Sequence, residues 1–253
     1  MNYIFVLGAS DPEMEAIEAA VTAAGHEIRY ALLGGMRVRA ESAQMASSLS
    51  GPLPSDAVSV FVECHVHCMQ ADVYVDHHAP GDPGYDCAPA DYLRGSSLGQ
   101  VLTLLGLEPT AEQRLVAAAD HCPTQAYKGL CPGVCPKALA EWRTRTRAAR
   151  RGVTIEEMEA SIRRGYRMLA HDADRVEFLG AQYPWVDRRD QFEIPEASAR
   201  YGLPFMYAEP VRDGRKKMGI MGAEPEVISA WMEQCGLHDV YGNPSRGYAG
   251  GYV

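Results

Sequence analysis

The sequence predicts an α/β protein, with a mostly parallel sheet in the N-terminal domain and a smaller α/β domain after it. Short, continuously apolar runs alternate along the chain with longer segments of helical spacing. Runs of this kind are typical of strands covered on both faces by helices. Glycines and prolines separate the segments at the places where an element has to end. This order favours parallel strands joined by right-handed crossovers.

The first half of the chain supplies the elements of the parallel sheet. Residues 3–7 form an apolar run that stops at Gly8, and Pro12 opens a helical pattern that ends at Gly25. A strand is predicted next, then a helix, then the breaker Gly51-Pro52-Leu53-Pro54. The strands predicted in this half are 3–7, 27–33, 58–62 and 72–75, and the helices that follow Pro12 are 40–49, 96–105 and 112–119.

A basic stretch, residues 142–151, is typical of a solvated helix end or a connector. We therefore predict a domain boundary near Arg150, with a catalytic domain at 1–150 and a substrate-binding domain at 151–253. The second domain again alternates short strands with helices. Its predicted strands are 176–179, 205–208 and 217–221, and its predicted helices are 155–169, 191–200 and 226–235.

Composition narrows the class of partner. The chain has 253 residues, a formal net charge of -9 and 47% hydrophobic residues. A balance this acidic argues against long nucleic acid and anionic membranes, and it leaves room for a small phosphorylated ligand. No apolar run approaches the roughly 18 residues that span a bilayer, and the start lacks a basic leader, so we expect a cytoplasmic protein. Seven cysteines predict free thiols in a reducing compartment.

Acidic side chains and histidines follow the predicted strands. Because the carboxyl ends of parallel strands meet at one edge of a sheet, we expect these side chains to lie close together. Carboxylates mixed with imidazoles are ligands that manganese or zinc accepts. The residues concerned are Asp11, Glu13 and Glu15 after the first strand, Glu63, His65 and His67 after the third, Asp76, His77 and His78 after the fourth, and Asp120 and His121 after a later helix.

The segment Val73-Tyr74-Val75-Asp76-His77-His78 resembles the signature of the DHH phosphoesterase family, in which a strand delivers Asp-His-His to a two-metal site. The other motifs of that family have counterparts in the same order along this chain. They are Pro12-Glu13-Met14-Glu15-Ala16-Ile17 for the first motif, Val60-Phe61-Val62-Glu63 for the second, Ser96-Ser97 for a small pair that opens a helix, and Asp120 for the fourth.

The resemblance implies a role for each matching residue. One or two divalent ions, manganese by resemblance and zinc or magnesium as alternatives, would be held by Glu13, Glu15, Glu63, Asp76, His77 and Asp120. The catalytic residues would be Asp76, His78 and His121, with His78 or His121 orienting the phosphate or protonating the departing oxygen. The chain departs from the family by carrying glutamate in the first two motifs, and it lacks a histidine before the first. Asp11, His65 or His67 would substitute for that histidine.

The glycine-rich tail loosely resembles the segment with which the associated C-terminal domain of that family holds phosphate. Glycines let the backbone approach an anion, and an arginine can pair with it bidentately. The predicted substrate-binding residues are Arg246, Gly250, Gly251, Ser96 and Ser97. By the same resemblance the substrate is a small nucleotide, a cyclic dinucleotide or a very short oligonucleotide, and a homodimer is compatible with the sequence.

Two alternatives remain at this stage. Glutamate in place of aspartate moves each carboxylate outward by one methylene, so the site could bind a nucleotide or metal without turnover. A third interpretation uses the cysteines, Cys64, Cys68, Cys122, Cys131 and Cys135, as a structural zinc or redox site. That interpretation predicts that chelation unfolds the protein.

Overall fold

The structure, a computed structural model, describes residues 2–187, 191–211 and 214–253 and divides into two compact units, Met1–His121 and Cys122–Val253. The α/β class is confirmed. The division falls at His121 instead of the predicted boundary near Arg150, because the helix that ends at Arg151 packs within the second unit. The second unit is therefore not the smaller of the two.

The first unit is built on a sheet whose central strands are parallel. The strand order is β3-β2-β1-β5-β6, and β4 pairs with β2. β1, β2, β5 and β6 run parallel, whereas the short β3 and β4 run antiparallel to β2. The strands are β1 (Tyr3–Leu7), β2 (Glu27–Leu33), β3 (Met36–Arg37), β4 (Ser48–Leu49), β5 (Val58–Val62) and β6 (Val73–Val75).

Both faces of this sheet are buried, as the apolar runs predicted. Val6 and Phe61 face a core cluster that includes Ala43 and Val66. Their neighbours along β1 and β5 point to the opposite face and are also buried. On the helical side, α1 packs against α3 and α4. The helices of this unit are α1 (Pro12–Ala23), α2 (Tyr92–Gly95), α3 (Ser97–Leu105) and α4 (Ala111–His121).

The predicted helix over residues 40–49 is only partly present. A 3-10 helix occupies Ala40–Met45, and residues 48 and 49 form β4 instead. The backbone N–H of Ser47 donates to the carbonyl of Leu32, and that of Ser50 donates to the carbonyl of Tyr30. Pairing with β2 therefore satisfies this backbone better than one more helical turn before the breaker at Gly51.

The second unit carries helices around a mixed sheet of order β11-β12-β10-β9-β8-β7, in which only the β8 and β9 pair is parallel among the described strands. Its strands are β7 (Arg175–Phe178), β8 (Ala181–Val186), β9 (Phe205–Pro210), β10 (Lys216–Met221), β11 (His238–Asn243) and β12 (Tyr248–Tyr252). Its helices are α5 (Pro123–Tyr127), α6 (Pro136–Arg151), α7 (Ile155–Arg167), α8 (Ile194–Tyr201) and α9 (Pro225–Gln234).

Buried ion pairs link α6 to α8 in the second unit. Glu196 is fully buried and accepts from the Nε of Arg143 at 2.6 Å. Arg200, one turn along α8, also reaches Glu196 and bonds the Thr144 hydroxyl. Arg143 of the basic stretch thus serves the core of this unit, and the stretch belongs to the packed helix α6 instead of forming a connector. Among the described residues, no helix combines the length and apolar character needed to cross a membrane.

Candidate functional site

The carboxyl ends of the parallel strands bring acidic side chains and histidines together in the first unit. Glu63 directly follows β5, and Asp76 directly follows β6 after the paired residues Val62 and Val75. Glu13 lies in the first turn of α1, just beyond β1, and Asp120 lies in the last turn of α4. The sheet edge therefore collects groups that are far apart in the sequence, as the strand pattern predicted.

His77 is the centre of the cluster. It is fully buried, and its Nε2 lies 3.1 Å from Oδ2 of Asp120 and 3.5 Å from Oε1 of Glu63. Two sets of ligand atoms lie close enough to hold a metal ion, each within 4.8 Å of one another. One set is Glu13, His77 and Asp120, and the other is Glu63, His77 and His78. Carboxylate oxygen with imidazole nitrogen suits a hard or borderline divalent ion.

Glu13 is held in place by the start of a neighbouring helix. Its Oε1 accepts a hydrogen bond of 3.0 Å from the backbone N–H of Leu98, in the first turn of α3. Its Oε2 is buried and accepts no hydrogen bond among the described residues. Burial raises the pKa of Glu13 well above its ordinary value, and the charges of Asp120 and Glu63 raise it further. A buried carboxylate oxygen facing other acids is a position that a cation would stabilise.

Glu63 has a strained backbone and a side chain that is only 12% exposed. Its backbone has a φ of 49°, in the left-handed region that a non-glycine residue rarely adopts. Burial raises the pKa of Glu63 to about 8, with Asp120 adding to the rise and His78 opposing it. The Cβ of any side chain at Gly8 would lie 2.5 Å from the carbonyl oxygen of Glu63, so glycine is required where β1 passes this residue.

Asp76 has a different role from the acids around His77. Its Oδ1 accepts from the backbone N–H of His77 at 2.7 Å, from that of His78 at 3.1 Å and from Nδ1 of His78 at 2.7 Å. Burial alone would raise the pKa of Asp76, but the hydrogen bond and charge of His78 outweigh it, so the pKa lies below its ordinary value. Asp76 is thus an anion that orients His78, and it belongs to neither group of ligand atoms around His77.

The remaining predicted residues of the first unit lie in several environments. Glu15 is exposed on α1, where Oγ of Ser10 donates to it at 3.5 Å. Ser96 and Ser97 are fully buried, and Ser96 caps α3 by accepting from the N–H of Gly99. His121 is fully buried beside His77. The structure therefore brings Glu13, Glu63, Asp76, His77, His78, Asp120 and His121 together and leaves Glu15 outside the ligand groups.

The candidates for the missing histidine take other positions. Asp11 caps α1 by accepting from the N–H of Met14 at 2.7 Å, and His65 lies against the ring of Tyr74. His65 and His67 are exposed and belong to neither ligand group. Among the residues that the structure describes, no ligand group contains a cysteine either. Cys122 and Cys131 form a buried pair with Sγ atoms 3.3 Å apart.

The predicted phosphate-binding tail is mostly strand. Gly250 and Gly251 lie in β12, where a Cβ would come within 2.9 Å of Tyr241 or Leu237. These glycines let Tyr241 of β11 and Leu237, which precedes β11, pack closely over β12. Arg246 lies in the preceding turn with its guanidinium 5.6 Å from the ring centre of Tyr248. A role of these residues in binding substrate stays a prediction.

Two glutamines near the cluster escaped the sequence analysis. Nε2 of Gln44 donates to Oδ2 of Asp76 at 3.4 Å. Nε2 of Gln100 donates to the carbonyl oxygens of Asp76 and Gly95, each at 3.2 Å. Both lie outside the loops that follow the parallel strands. The position of Gln100 one turn after Ser96, on a helix that starts at the site, was the signal that could have identified it.

We expect the stability of the metal-free protein to fall as pH rises from about 5 to about 8. The pKa of Glu63 is about 8 in the folded protein against 4.5 ordinarily, so the folded state binds a proton that the unfolded state has released. Stabilisation by that proton is complete below pH 4.5 and is lost as pH rises through 8. Thermal unfolding in EDTA at several pH values measures the slope, and Glu63→Gln should flatten it. An equal slope in that variant would contradict the assignment.

The sequence shows little similarity to those of known proteins. No family model and no curated protein matches the chain. One similar solved structure is the pGpG-specific phosphodiesterase PggH from Vibrio cholerae, with 10% identity, a TM-score of 0.40, and coverage of 100% of this chain and 92% of that one. A similarity this weak supports no inference about chemistry, which rests on the geometry of the cluster.

Proposed function

We propose that the protein is a metal-dependent phosphoesterase that hydrolyses a small nucleotide, a cyclic dinucleotide or a very short oligonucleotide. The observation that carries the proposal is the cluster of Glu13, Glu63 and Asp120 around Nε2 of the buried His77. Acids with a purely structural role rarely lie this close together without a basic partner, because each raises the free energy of the others when ionised.

The residues present fit a divalent cation. Glu13 has a buried oxygen that accepts no hydrogen bond among the described residues, and the pKa values of both Glu13 and Glu63 are raised. A cation would replace the protons that these acids otherwise need. Glu13, His77 and Asp120 would hold one ion, and Glu63 is the carboxylate available to a second. Such an ion lowers the pKa of a water molecule and neutralises charge on the phosphoryl oxygens.

His78 is the residue best suited to act on the phosphate. Its side chain is 49% exposed, whereas that of His77 is fully buried. Asp76 accepts from Nδ1 of His78 at 2.7 Å, which keeps a proton on that nitrogen and makes Nε2 the nitrogen available to a substrate. His78 would orient a phosphoryl oxygen or donate a proton from Nε2 to the departing oxygen, and Asp76 would stabilise the charged form of the ring.

The substrate class follows from the charge of the protein and from the motif resemblance together. A net charge of -9 disfavours a long polyanion, whereas a cation at the cluster would attract one or two phosphates. The order of Glu13, Glu63, Asp76-His77-His78 and Asp120 along the chain resembles that of the DHH phosphoesterases, which supports a small nucleotide. Manganese is the ion that the resemblance favours.

Metal analysis and one model substrate test this function. We expect the purified protein to bind one or two equivalents of Mn²⁺ and, with Mn²⁺, to release p-nitrophenol from bis-(p-nitrophenyl) phosphate. EDTA should abolish the release, and excess Mn²⁺ should restore it. Metal binding without turnover of this ester or of dinucleotides would instead favour the alternative, a binding protein whose glutamates have retuned the site. Absence of metal binding and of turnover would refute the metal-dependent function and favour a protein that binds a nucleotide alone.

A further inference from the structure

His121 lies next to the cluster but cannot meet a substrate. It has no exposed surface, and its ring stacks beside that of His77 with centroids 5.5 Å apart and an angle of 28° between the planes. Its Nε2 lies 3.0 Å from the carbonyl oxygen of Cys87, and its Nδ1 lies 3.4 Å from Nδ1 of His77. The predicted role of His121 as a proton donor to substrate does not suit this burial.

The chemistry of these partners fixes the direction of each hydrogen bond. A carbonyl oxygen only accepts, so Nε2 of His121 carries a proton and donates it to Cys87. In a neutral ring, Nδ1 of His121 is then an acceptor. Nδ1 of His77 lies 3.2 Å from the carbonyl oxygen of Gly95, so it carries a proton for the same reason. That proton points at two acceptors, Gly95 and His121.

These hydrogen bonds determine whether Nε2 of His77 faces the acids on its other side with a proton or with a lone pair. With Nδ1 protonated, Nε2 of a neutral His77 presents its lone pair towards Glu63 and Asp120. Metal-binding histidines commonly donate their second N–H to a carbonyl or other acceptor, which fixes both the tautomer and the ring orientation. The hydrogen bonds from His121 to Cys87 and from His77 to Gly95 and His121 supply that arrangement here.

Glycine at position 95 makes room for the hydrogen-bonded arrangement of Cys87, His121 and His77. A Cβ at Gly95 would overlap the ring of His121 and would lie 2.9 Å from Cβ of Cys87. Glycine at this position therefore allows the His121 ring to lie flat against the backbone whose carbonyl also bonds His77. The packing at Gly95 and the hydrogen bonds of the two histidines are thus two separate constraints on the positions of the rings.

We propose that His121 is a positioning residue, which holds His77 so that Nε2 faces Glu63, Asp120 and a bound divalent cation. The inference rests on the proposed metal site, and it concerns binding of the ion rather than hydrolysis. In this role His121 accepts a hydrogen bond from His77 and does not contact the substrate.

Isothermal titration of the full-length protein with Mn²⁺ alone tests the inference. We expect His121→Phe, which keeps a ring but removes both nitrogens, to weaken Mn²⁺ binding by about 10- to 100-fold. His121→Asn, which can place an amide oxygen near the former Nδ1, should recover part of the loss. His26→Phe is the matched control, because His26 packs against Tyr3 and Phe5 outside the cluster, and it should bind as the wild type does.

A spectroscopic measurement on the wild-type protein tests the inference without relying on the folding of a variant. In the protein loaded with diamagnetic Zn²⁺, long-range ¹H–¹⁵N spectra should show His77 protonated at Nδ1 and not at Nε2. A proton on Nε2 of His77, or unchanged Mn²⁺ affinity in folded His121→Phe, would overturn the inference even if the enzyme is active. Tight Mn²⁺ binding without hydrolysis would refute only the proposed function, and no metal binding by the wild type would refute both.

Discussion

Glu13→Gln should raise the melting temperature of the metal-free protein and lower Mn²⁺-dependent hydrolysis by about 100- to 1,000-fold. The two effects have one cause. Glu13 is buried, and its pKa is raised by burial and by Asp120 and Glu63, so an ionised carboxylate here destabilises the fold when no cation is bound. Glutamine is neutral at every pH and can still accept from the N–H of Leu98 through Oε1. It removes the repulsion together with the ligand.

The matched control for this change lies two residues along the same helix. Glu15→Gln makes the same chemical change at an exposed position outside the ligand groups, so we expect its activity and melting temperature to stay close to the wild type. Calorimetry in EDTA and p-nitrophenol release with Mn²⁺ measure the two effects. A loss of activity in Glu15→Gln equal to that in Glu13→Gln would show that the motif resemblance, and not the geometry, identifies the ligands.

Asp76→Ala should reduce Mn²⁺-dependent turnover by about 100- to 10,000-fold and leave the circular dichroism spectrum nearly unchanged. Its carboxylate orients the ring of His78 by accepting a hydrogen bond of 2.7 Å from Nδ1. Without it, Nε2 of His78 no longer has a fixed direction or a stabilised charged form. Because Asp76 is not in the ligand groups around His77, we expect Mn²⁺ affinity to fall much less than turnover.

Asp76→Asn separates orientation from charge. Its amide oxygen can still accept from the backbone N–H groups of His77 and His78, so the local turn should persist. If His78 acts as a proton donor, turnover falls in this variant and the pH profile shifts. Unaltered turnover in both Asp76 variants would move the catalytic residues elsewhere.

The sequence predicted that the acids after neighbouring strands would lie close together, because strand ends in a parallel sheet share one edge. Glu63 and Asp76 follow residues that pair across β5 and β6, so their proximity is a consequence of register. The separate behaviour of Glu13 and Glu15 was not predictable from the motif. Residues two apart on a helix point about 200° apart, so only one of them can face the cluster.

The strands missed in the second unit carry residues that local patterns disfavour. Pro184 interrupts the apolar run of β8, yet it pairs with Arg175 of the edge strand β7. Gly250 and Gly251 resembled a phosphate-binding segment, yet the close packing of Tyr241 and Leu237 requires small residues in β12. In both places tertiary contacts override the local preference.

The left-handed backbone of Glu63 means that some substitutions at this position should stabilise the fold. A non-glycine residue at a φ of 49° costs about 1 to 2 kcal/mol, and glycine or asparagine would relieve that cost. Either replacement would also delete a buried acid and so further favour the folded state in the absence of metal. Laboratory selection for heat tolerance alone should therefore enrich Glu63→Gly or Glu63→Asn, and retention of glutamate under such selection would indicate that the acid is kept for its chemistry.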